Sequence, residues 1–519
     1  MTALFAAIGI AALLAQTPPT VAAAPQIANP LPPRVGVEGA PLPLTLEDAI
    51  RRALEHNTDV SLARIDTMVA AEDLRAARGA YDVRLFPTLS FQRAINASAS
   101  ALGGATQGRV EQRQLFGSAE LSGLTPWAGG RFSIDFTSTR ISTSNQFSRL
   151  NPQFPATFAM SYTQPLLRDR QIDNERRSIL LAQQATDLTQ AELTQTLMDQ
   201  LMFVEQAYWE LVYTARFLEV QGTALAQAEA QVASNERQAR EGTLAPIDVV
   251  EAQTQVANFR QNLSLAQQSL TEAENRLKLL MLTGRESPEW NQPIVASDPV
   301  DRESPPWSLQ EAVKVALTRR PELAALETVR ASNEVERRFF QDQARPQVDL
   351  VGGVTLSGLA GGALSETDDT IPPFLIGDYA TSLGNLFASR FPTAIVQLQM
   401  DLPLRNTTAR ANLARTELTG TQITRRRQQL EQSIEADVRN AIQAANSARD
   451  RLVDASQASR NAQEQYESER RRFDSGLSTV FLVLDRQSAL VTAQARELRA
   501  RADLNQALAM LDRAVGVTL

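Results

Sequence analysis

Residues able to do chemistry are few in this chain, and poorly placed for it. The 519 residues include no cysteine, which removes disulfides, thiolate zinc sites and thiol nucleophiles together. The single histidine, His56, stands between Glu55 and Asn57. It is too solitary for an imidazole metal site or a Ser/His/Asp arrangement, and reads as an ordinary surface residue. There is no Gly-rich phosphate loop, and the acid pair Asp368-Asp369 lies in a Gly/Ser/Pro-rich loop, as solvated chain. The acids with a definable local role sit at helix starts. Pro246 suits a first helical position, making Ala245 the cap and Asp248 the third residue. At an offset of 479 − 245 = 234, Thr479 caps a second start whose third residue is Leu482. Each start keeps one half of a capping box: an acid without a hydroxyl, then a hydroxyl without an acid. Asp248 still favours its helix N-terminus by ~0.3–1 kcal/mol. Gly242 and Gly476, just ahead of these starts, read as turn residues needing positive φ.

Both starts follow helices of unusual length. From about Asp173 to Arg240, and from about Ala409 to Phe473, there is no proline and almost no glycine. Such a helix is on the order of 100 Å long, far beyond the three or four turns of an ordinary globular helix. In the second, apolar positions run Leu430, Ile434, Val438, Ala441, Ala445, Ala448, Leu452, Ala455, Ser459, Ala462, Tyr466. After the first two, steps of three and four alternate, a period of 3.5 that marks a coiled-coil seam. Val204, Ala207, Leu211 and Leu218 repeat it in the first, at the same offset of 234.

The strands carry a different period. Val348, Leu350, Val354 and Leu356 alternate with Asp349, Thr355 and Ser357; Val396, Leu398, Met400 and Leu402 alternate with Gln397, Gln399 and Asp401. Phe158, Met160 and Tyr162, and Phe132, Ile134 and Phe136, do the same in the first half. About ten alternating residues suit a barrel strand with lipid on one face and water on the other, and equally a soluble sandwich. The combination with such helices, occurring twice, favours the barrel.

The whole plan is duplicated. Leu46-Glu47-Asp48-Ala49 to Leu54 returns as Leu309-Gln310-Glu311-Ala312 to Leu317, an offset of 309 − 46 = 263. Each copy then runs from a helix ending before a proline (Pro87, Pro346) through strands to the long helical hairpin. The division is residues 45–284 for the first copy, a proline-bearing linker over 285–307 and 308–519 for the second. The first copy holds an extra strand-like pair, Leu115 to Gly123 and Arg131 to Ile141, whose place inside or outside a barrel stays open.

Lys+Arg 51 against Asp+Glu 59 gives 51 − 59 = −8, without the clustered basic charge that nucleic acid requires. The apolar run Leu4 to Leu14, followed by Val21-Ala22-Ala23-Ala24, is too short to span a bilayer and reads as an export signal over 1–24. Its lack of Lys or Arg leaves an Ala-rich tail as the alternative. Residues 25–44 read as irregular chain. No other apolar run is long enough for a membrane helix, so a membrane crossing would have to be a closed barrel.

In these motifs the sequence resembles the TolC-like outer membrane efflux protein family. The resemblance rests on the repeated starts (Leu46, Ala49, Ala53; Leu309, Ala312, Ala316), the segments Asn57 to Val60 and Arg320-Pro321-Glu322-Leu323, the strand exits Gln164-Pro165-Leu166-Leu167 and Leu402-Pro403-Leu404, and the hairpin tips Gly242 to Ala252 and Gly476 to Asp485. It covers the chain from about Leu44 onward. It implies an α+β membrane protein: a long antiparallel α-helical coiled-coil barrel joined to a transmembrane β-barrel, two tandem repeats per chain, completed by trimerisation. It further implies an outer-membrane channel of a Gram-negative cell with a long periplasmic extension, passive export, and partnership with a periplasmic adaptor and an inner-membrane pump. Enzymatic activity, cofactor, metal and nucleic acid are not expected. Asp248, Glu251 and Asp485 become gate candidates at the periplasmic entrance, and Gly242, Thr243, Gly476, Leu477 and Ser478 adaptor-contact candidates. Leu482 stands where a second acid is expected beside Asp485, which thins the ring's charge. A soluble periplasmic coiled-coil scaffold is the alternative, and drug, metal ion and secreted protein stay open as cargo.

Overall fold

The computed structural model describes residues 34–98, 103–105, 107–298, 307–364 and 370–517. The export-signal segment, Pro299, the Pro305-Pro306 pair and Asp368-Asp369 lie outside them. In the first half come β1 (Leu42–Leu44), α1 (Leu46–His56), α2 (Thr58–Arg78), β2 (Arg84–Ala97), β3 (Arg109–Leu124), β4 (Arg131–Thr143), β5 (Leu150–Gln153), β6 (Ala156–Pro165), α3 (Asn174–Arg240) and α4 (Pro246–Met281). The second half has β7 (Ile294–Ala296), α5 (Leu309–Arg319), α6 (Pro321–Gln343), β8 (Gln347–Gly358), β9 (Gly361–Ala363), α7 (Tyr379–Phe387), β10 (Phe391–Asp401), α8 (Thr407–Asp474) and α9 (Val480–Val515).

Local chemistry sets the helix ends. Thr45 Oγ1 accepts from Asp48 N at 3.1 Å, and Ser308 Oγ from Glu311 N at 3.3 Å while donating to the Glu311 carboxylate at 2.6 Å, so each hydroxyl caps its helix start. Asn57 caps α2 through Oδ1 and ties it to α4 by donating from Nδ2 to Leu280 O at 3.0 Å. Asp173 caps α3, accepting from Arg176 N at 2.7 Å. One boundary differs from expectation. α2 closes at Arg78, and Pro87 lies inside β2 rather than at a helix end. An outermost strand tolerates a proline because one of its sides needs no donor from within the chain.

The seam is buried as its period demands. Ile434, Val438, Ala445, Ala448, Ser459 and Tyr466 are buried in α8, and Val204, Ala207, Leu211 and Leu218 in α3. α3 and α8 are 67 and 68 residues long, and each folds back along a 36-residue partner, α4 or α9. Nearer the strands, α2 packs on α3, α3 on α6 and α6 on α8, a four-helix strip with α2 and α8 at its edges. Below it, α9 also packs on α3. The two long helices are therefore unequal: α3 is enclosed on several sides, whereas α8 stays largely open along one flank.

β2, β3, β4, β6, β8 and β10 form one antiparallel sheet in the order β10-β8-β6-β4-β3-β2, with β5 and β9 attached off this path. The extra strand pair, now Arg109–Leu124 and Arg131–Thr143, lies in the middle of the sheet, hydrogen-bonded between β2 and β6. Among the described residues no helix is long and apolar enough to cross a membrane.

At mid-length, ionic groups join the halves. Arg513 of α9 pairs with Asp199 of α3 and, at 2.8 Å, with Glu322 of α6, which Arg320 also meets at 3.1 Å. Burial opposes ionisation of Glu322, yet the hydrogen bond from Arg513 and the charge of Arg320 hold its carboxyl below the usual glutamate value. A depressed carboxyl adds stability above its unfolded value near 4.5 and loses it as pH falls through the folded value. Acid below about pH 4.5 should therefore loosen this joint. Thermal melts of the wild-type protein and Glu322→Gln across pH 3–6 test it, and the variant should show the shallower fall.

Candidate channel wall and helical tips

The sheet's register sorts its side chains onto two faces. One row across all six strands reads Ala394, Val354, Met160, Ile134, Leu121, Leu85; the next on the same face reads Pro392, Leu356, Phe158, Phe136, Ala119, Pro87. The opposite face carries Thr393, Thr355, Ala159, Asp135, Glu120 and Phe86 in one row, and Ile395, Gly353, Ser161, Ser133, Ser122 and Arg84 in another. Hydroxyls there bond across strands, Ser133 Oγ lying 2.9 Å from Ser161 Oγ. Among the described residues nothing covers the apolar face at Leu89, Val396, Leu398 or Met400, all exposed. An uncovered apolar face spanning six strands is unsuited to water and fits hydrocarbon.

At the far end of the helices, each hairpin turns through a Schellman motif. Gly242 (φ 77°) donates to Ala239 O at 3.1 Å and Thr243 N to Gln238 O at 3.0 Å; Gly476 (φ 74°) donates to Phe473 O at 2.9 Å and Leu477 N to Arg472 O at 2.8 Å. A Cβ at either glycine would meet no atom within 4 Å, so positive φ alone demands glycine. Gly242→Ala or Gly476→Ala should cost about 1 kcal/mol locally. Hydrogen exchange confined to the tip would register it, with the rest of the protein unchanged.

The helix restarts follow the half-box pattern. Thr479 Oγ1 accepts from Leu482 N at 3.4 Å, whereas Ala245 has no capping side chain and Pro246 opens α4. Asp248 is half-buried; Glu251, Asp485, Gly242, Thr243, Gly476 and Leu477 are exposed; half-buried Ser478 donates to Glu469. The two tips meet where Ala252 of α4 packs with Val480 and Leu484 of α9. Sequence reasoning missed the exposed apolar residues here, Ile247 at 68% and Phe481 at 58%, with Val250 beside them. Their signal was an apolar residue lying off the seam period. The exposed stripe Leu62, Ile65, Met68 and Val69 on α2 was missed for the same reason.

The sequence model of the outer membrane efflux protein family matches residues 132–281 and 312–517, more than half of the chain. The chain belongs to the outer membrane efflux protein family. It is accordingly an efflux channel of the outer membrane, not an enzyme. Solved structures share its fold. The outer-membrane channel OprN aligns with a TM-score of 0.64 at 15% identity, covering 91% of this chain and 89% of its own. The Campylobacter jejuni CmeC channel aligns at 0.64 and 14%, covering 91% and 86%. The open state of the Neisseria gonorrhoeae MtrE channel aligns at 0.60 and 18%, covering 91% and 88%. Comparison with curated protein sequences gave no match. In this efflux channel the family match begins inside β4, leaving β2 and β3 before it.

Proposed function

We propose that three copies of this chain close into one continuous conduit, its sheets forming a barrel in the outer membrane and its helices a periplasmic tunnel. The two halves act as tandem copies of one unit, over 45–284 and 308–519. The observation that carries closure is that sheet and helix layers end on the same two flanks. α2 and β2, consecutive in the chain, form one flank; β10 and α8, also consecutive, form the other. Among the described residues both terminal strands leave backbone groups unpaired, which lipid cannot satisfy. β2 runs away from the helices and β10 returns to them, so β2 of one copy pairs antiparallel with β10 of the next. Pro87 and Pro392 each remove only one donor from that seam. On the helix layer, the apolar stripe of α2 meets the open flank of the neighbour's α8, where Leu418 is exposed.

Cargo moves passively from periplasm to exterior, driven by an inner-membrane pump and admitted through a periplasmic adaptor. The adaptor meets the hairpin tips at Gly242, Thr243, Gly476, Leu477 and Ser478, and the exposed apolar Ile247 and Phe481 add area to that contact. Asp248, Glu251 and Asp485 stand as entrance acids, with Asp248 also serving its helix N-terminus. Cell fractionation and planar-bilayer recording test the reading. The expected result is a detergent-requiring, heat-modifiable oligomer that conducts; a soluble monomer recovered without detergent, the behaviour of a periplasmic scaffold, would overturn it.

A further inference from the structure

We propose that β3 and β4 are pore wall, so that three copies close an eighteen-stranded exit as wide as the helical tunnel beneath it. The inference rests on the trimeric-channel reading above and concerns what that reading leaves open, the width of the exit and the bulk of cargo it passes.

Register carries the case. β3 pairs with β2 from Arg109 to Ser122 and with β4 from Gln112 to Leu124 without a break, and β4 pairs with β6 from Arg131 to Ser138. At 16 and 13 residues, both strands exceed the roughly 9–11 that a tilted strand needs to cross the hydrocarbon core. Ile134 and Leu121 continue the apolar row of Val354 and Met160, while Asp135 and Glu120 continue the polar row. An appendage outside the barrel would interrupt those rows instead of extending them. The connection between β3 and β4, residues 125–130, is short and lies at the helix end, where Gln164 Nε2 donates to Ala128 O at 2.7 Å. The chain from β8 to β10, at the other end, is much longer. Short turns on the periplasmic side and long loops outside are what a membrane barrel shows.

Girth follows from strand number. Eighteen strands spaced about 4.8 Å apart and tilted about 40° close at a backbone radius of about 18 Å. Without the β3–β4 pair, twelve strands would close at about 12 Å. The four-helix strip, taken three times at roughly 8–10 Å between axes, encloses a radius of about 15–19 Å. The inserted pair thus matches exit to tunnel, and the wall sets no limit on bulky cargo that the tunnel has not already set.

The absence of cysteine makes the test clean. Single cysteines are placed at Asp135 and Ile134 of β4 and, as reference, at Thr393 and Ala394 of β10. The full-length channels are then recorded in planar bilayers while a charged, membrane-impermeant methanethiosulfonate is added. Asp135→Cys and Thr393→Cys should lose conductance stepwise; Ile134→Cys and Ala394→Cys should not. A chain lacking residues 109–143 should conduct less than the wild type, because the exit cross-section falls to roughly 0.4 of its value while the tunnel in series with it is unchanged. The cysteine pairs decide the matter even if that deletion fails to fold. Alternation on β10 without alternation on β4, or a folded deletion with undiminished conductance, would place the pair outside the wall and overturn the proposal, and the β2–β10 seam with it, while passive conduction through an outer-membrane channel stands. Loss of alternation on both strands would bring down the channel reading and this inference with it.

Discussion

Met160→Arg is expected to prevent stable assembly of the channel in the outer membrane. Met160 sits on a central strand in a row whose other members are Ala394, Val354, Ile134, Leu121 and Leu85. It is half exposed because none of the described residues covers that face. In a bilayer the cover is lipid, and an arginine near the midplane costs about 2–4 kcal/mol. In the proposed trimer three copies repeat the cost at one depth, to about 6–12 kcal/mol per channel. That is comparable to the whole stability of an ordinary domain. Ser161→Arg, one residue on, points to the opposite face and loses only its hydroxyl contact with Ser133, so it should still assemble. The readout is the yield of heat-modifiable oligomer from outer-membrane fractions. Equal yields from the two variants would mean that the face does not meet lipid.

The second large effect lies at the waist of the helical region. Lys278 is 1% exposed and Glu274 2%, and their side chains pair at 2.6 Å. Lys278 Nζ also donates to Trp290 O at 2.8 Å and Gln292 O at 2.7 Å, fastening the segment after α4 to the hairpin. Arg34 reaches Glu274 from the N-terminal side at 2.7 Å. Breaking a buried pair by removing one member typically costs about 3–5 kcal/mol, because the other charge stays buried. Lys278→Met should fall at the lower end of that range, since Arg34 still faces Glu274, but two carbonyls lose their donor. The expected signs are a lower unfolding midpoint and new proteolysis between residues 282 and 298. Adding Glu274→Leu should restore only part of the loss, because Arg34, itself largely buried, is then left without its carboxylate. If the single variant melts like the wild-type chain, the pair contributes little and the segment is held by other contacts. Tyr208, fully buried on α3, offers such a contact through its hydroxyl, which donates to Asp298 at 2.7 Å and lies 3.2 Å from Leu44 O.

The helices and their seam were legible because period is local. Eleven positions from Leu430 to Tyr466 recur at steps of three or four residues, and none of them is exposed in the structure. The strand faces were legible for the same reason, since a period of two assigns each side chain to one side of a sheet. The glycine turns were legible too: only positive φ explains Gly242 and Gly476, and φ is a property of the residue itself.

Neighbours are another matter. Alternation says which way Ile134 and Asp135 point but not which strand lies beside them. Only long-range pairing set β3 and β4 between β2 and β6. The same limit hid the inequality of α3 and α8. Their sequences follow one seam, yet α3 is enclosed by α2, α4, α6 and α9 while α8 keeps an open flank. Pro87 was misread as a helix stop because the tolerance of an outermost strand for proline depends on what lies beyond it, which no local pattern records. The exposed apolar stripe on α2 and the apolar residues of the tips came to light only when the rest of the chain was in place and had left them uncovered. By itself the sequence determined helix length, helix seam and strand face, because each depends on residues within a few turns or pleats. Strand order, helix enclosure and the identity of the uncovered surfaces were decided by the tertiary structure, because each depends on which distant segment arrives alongside.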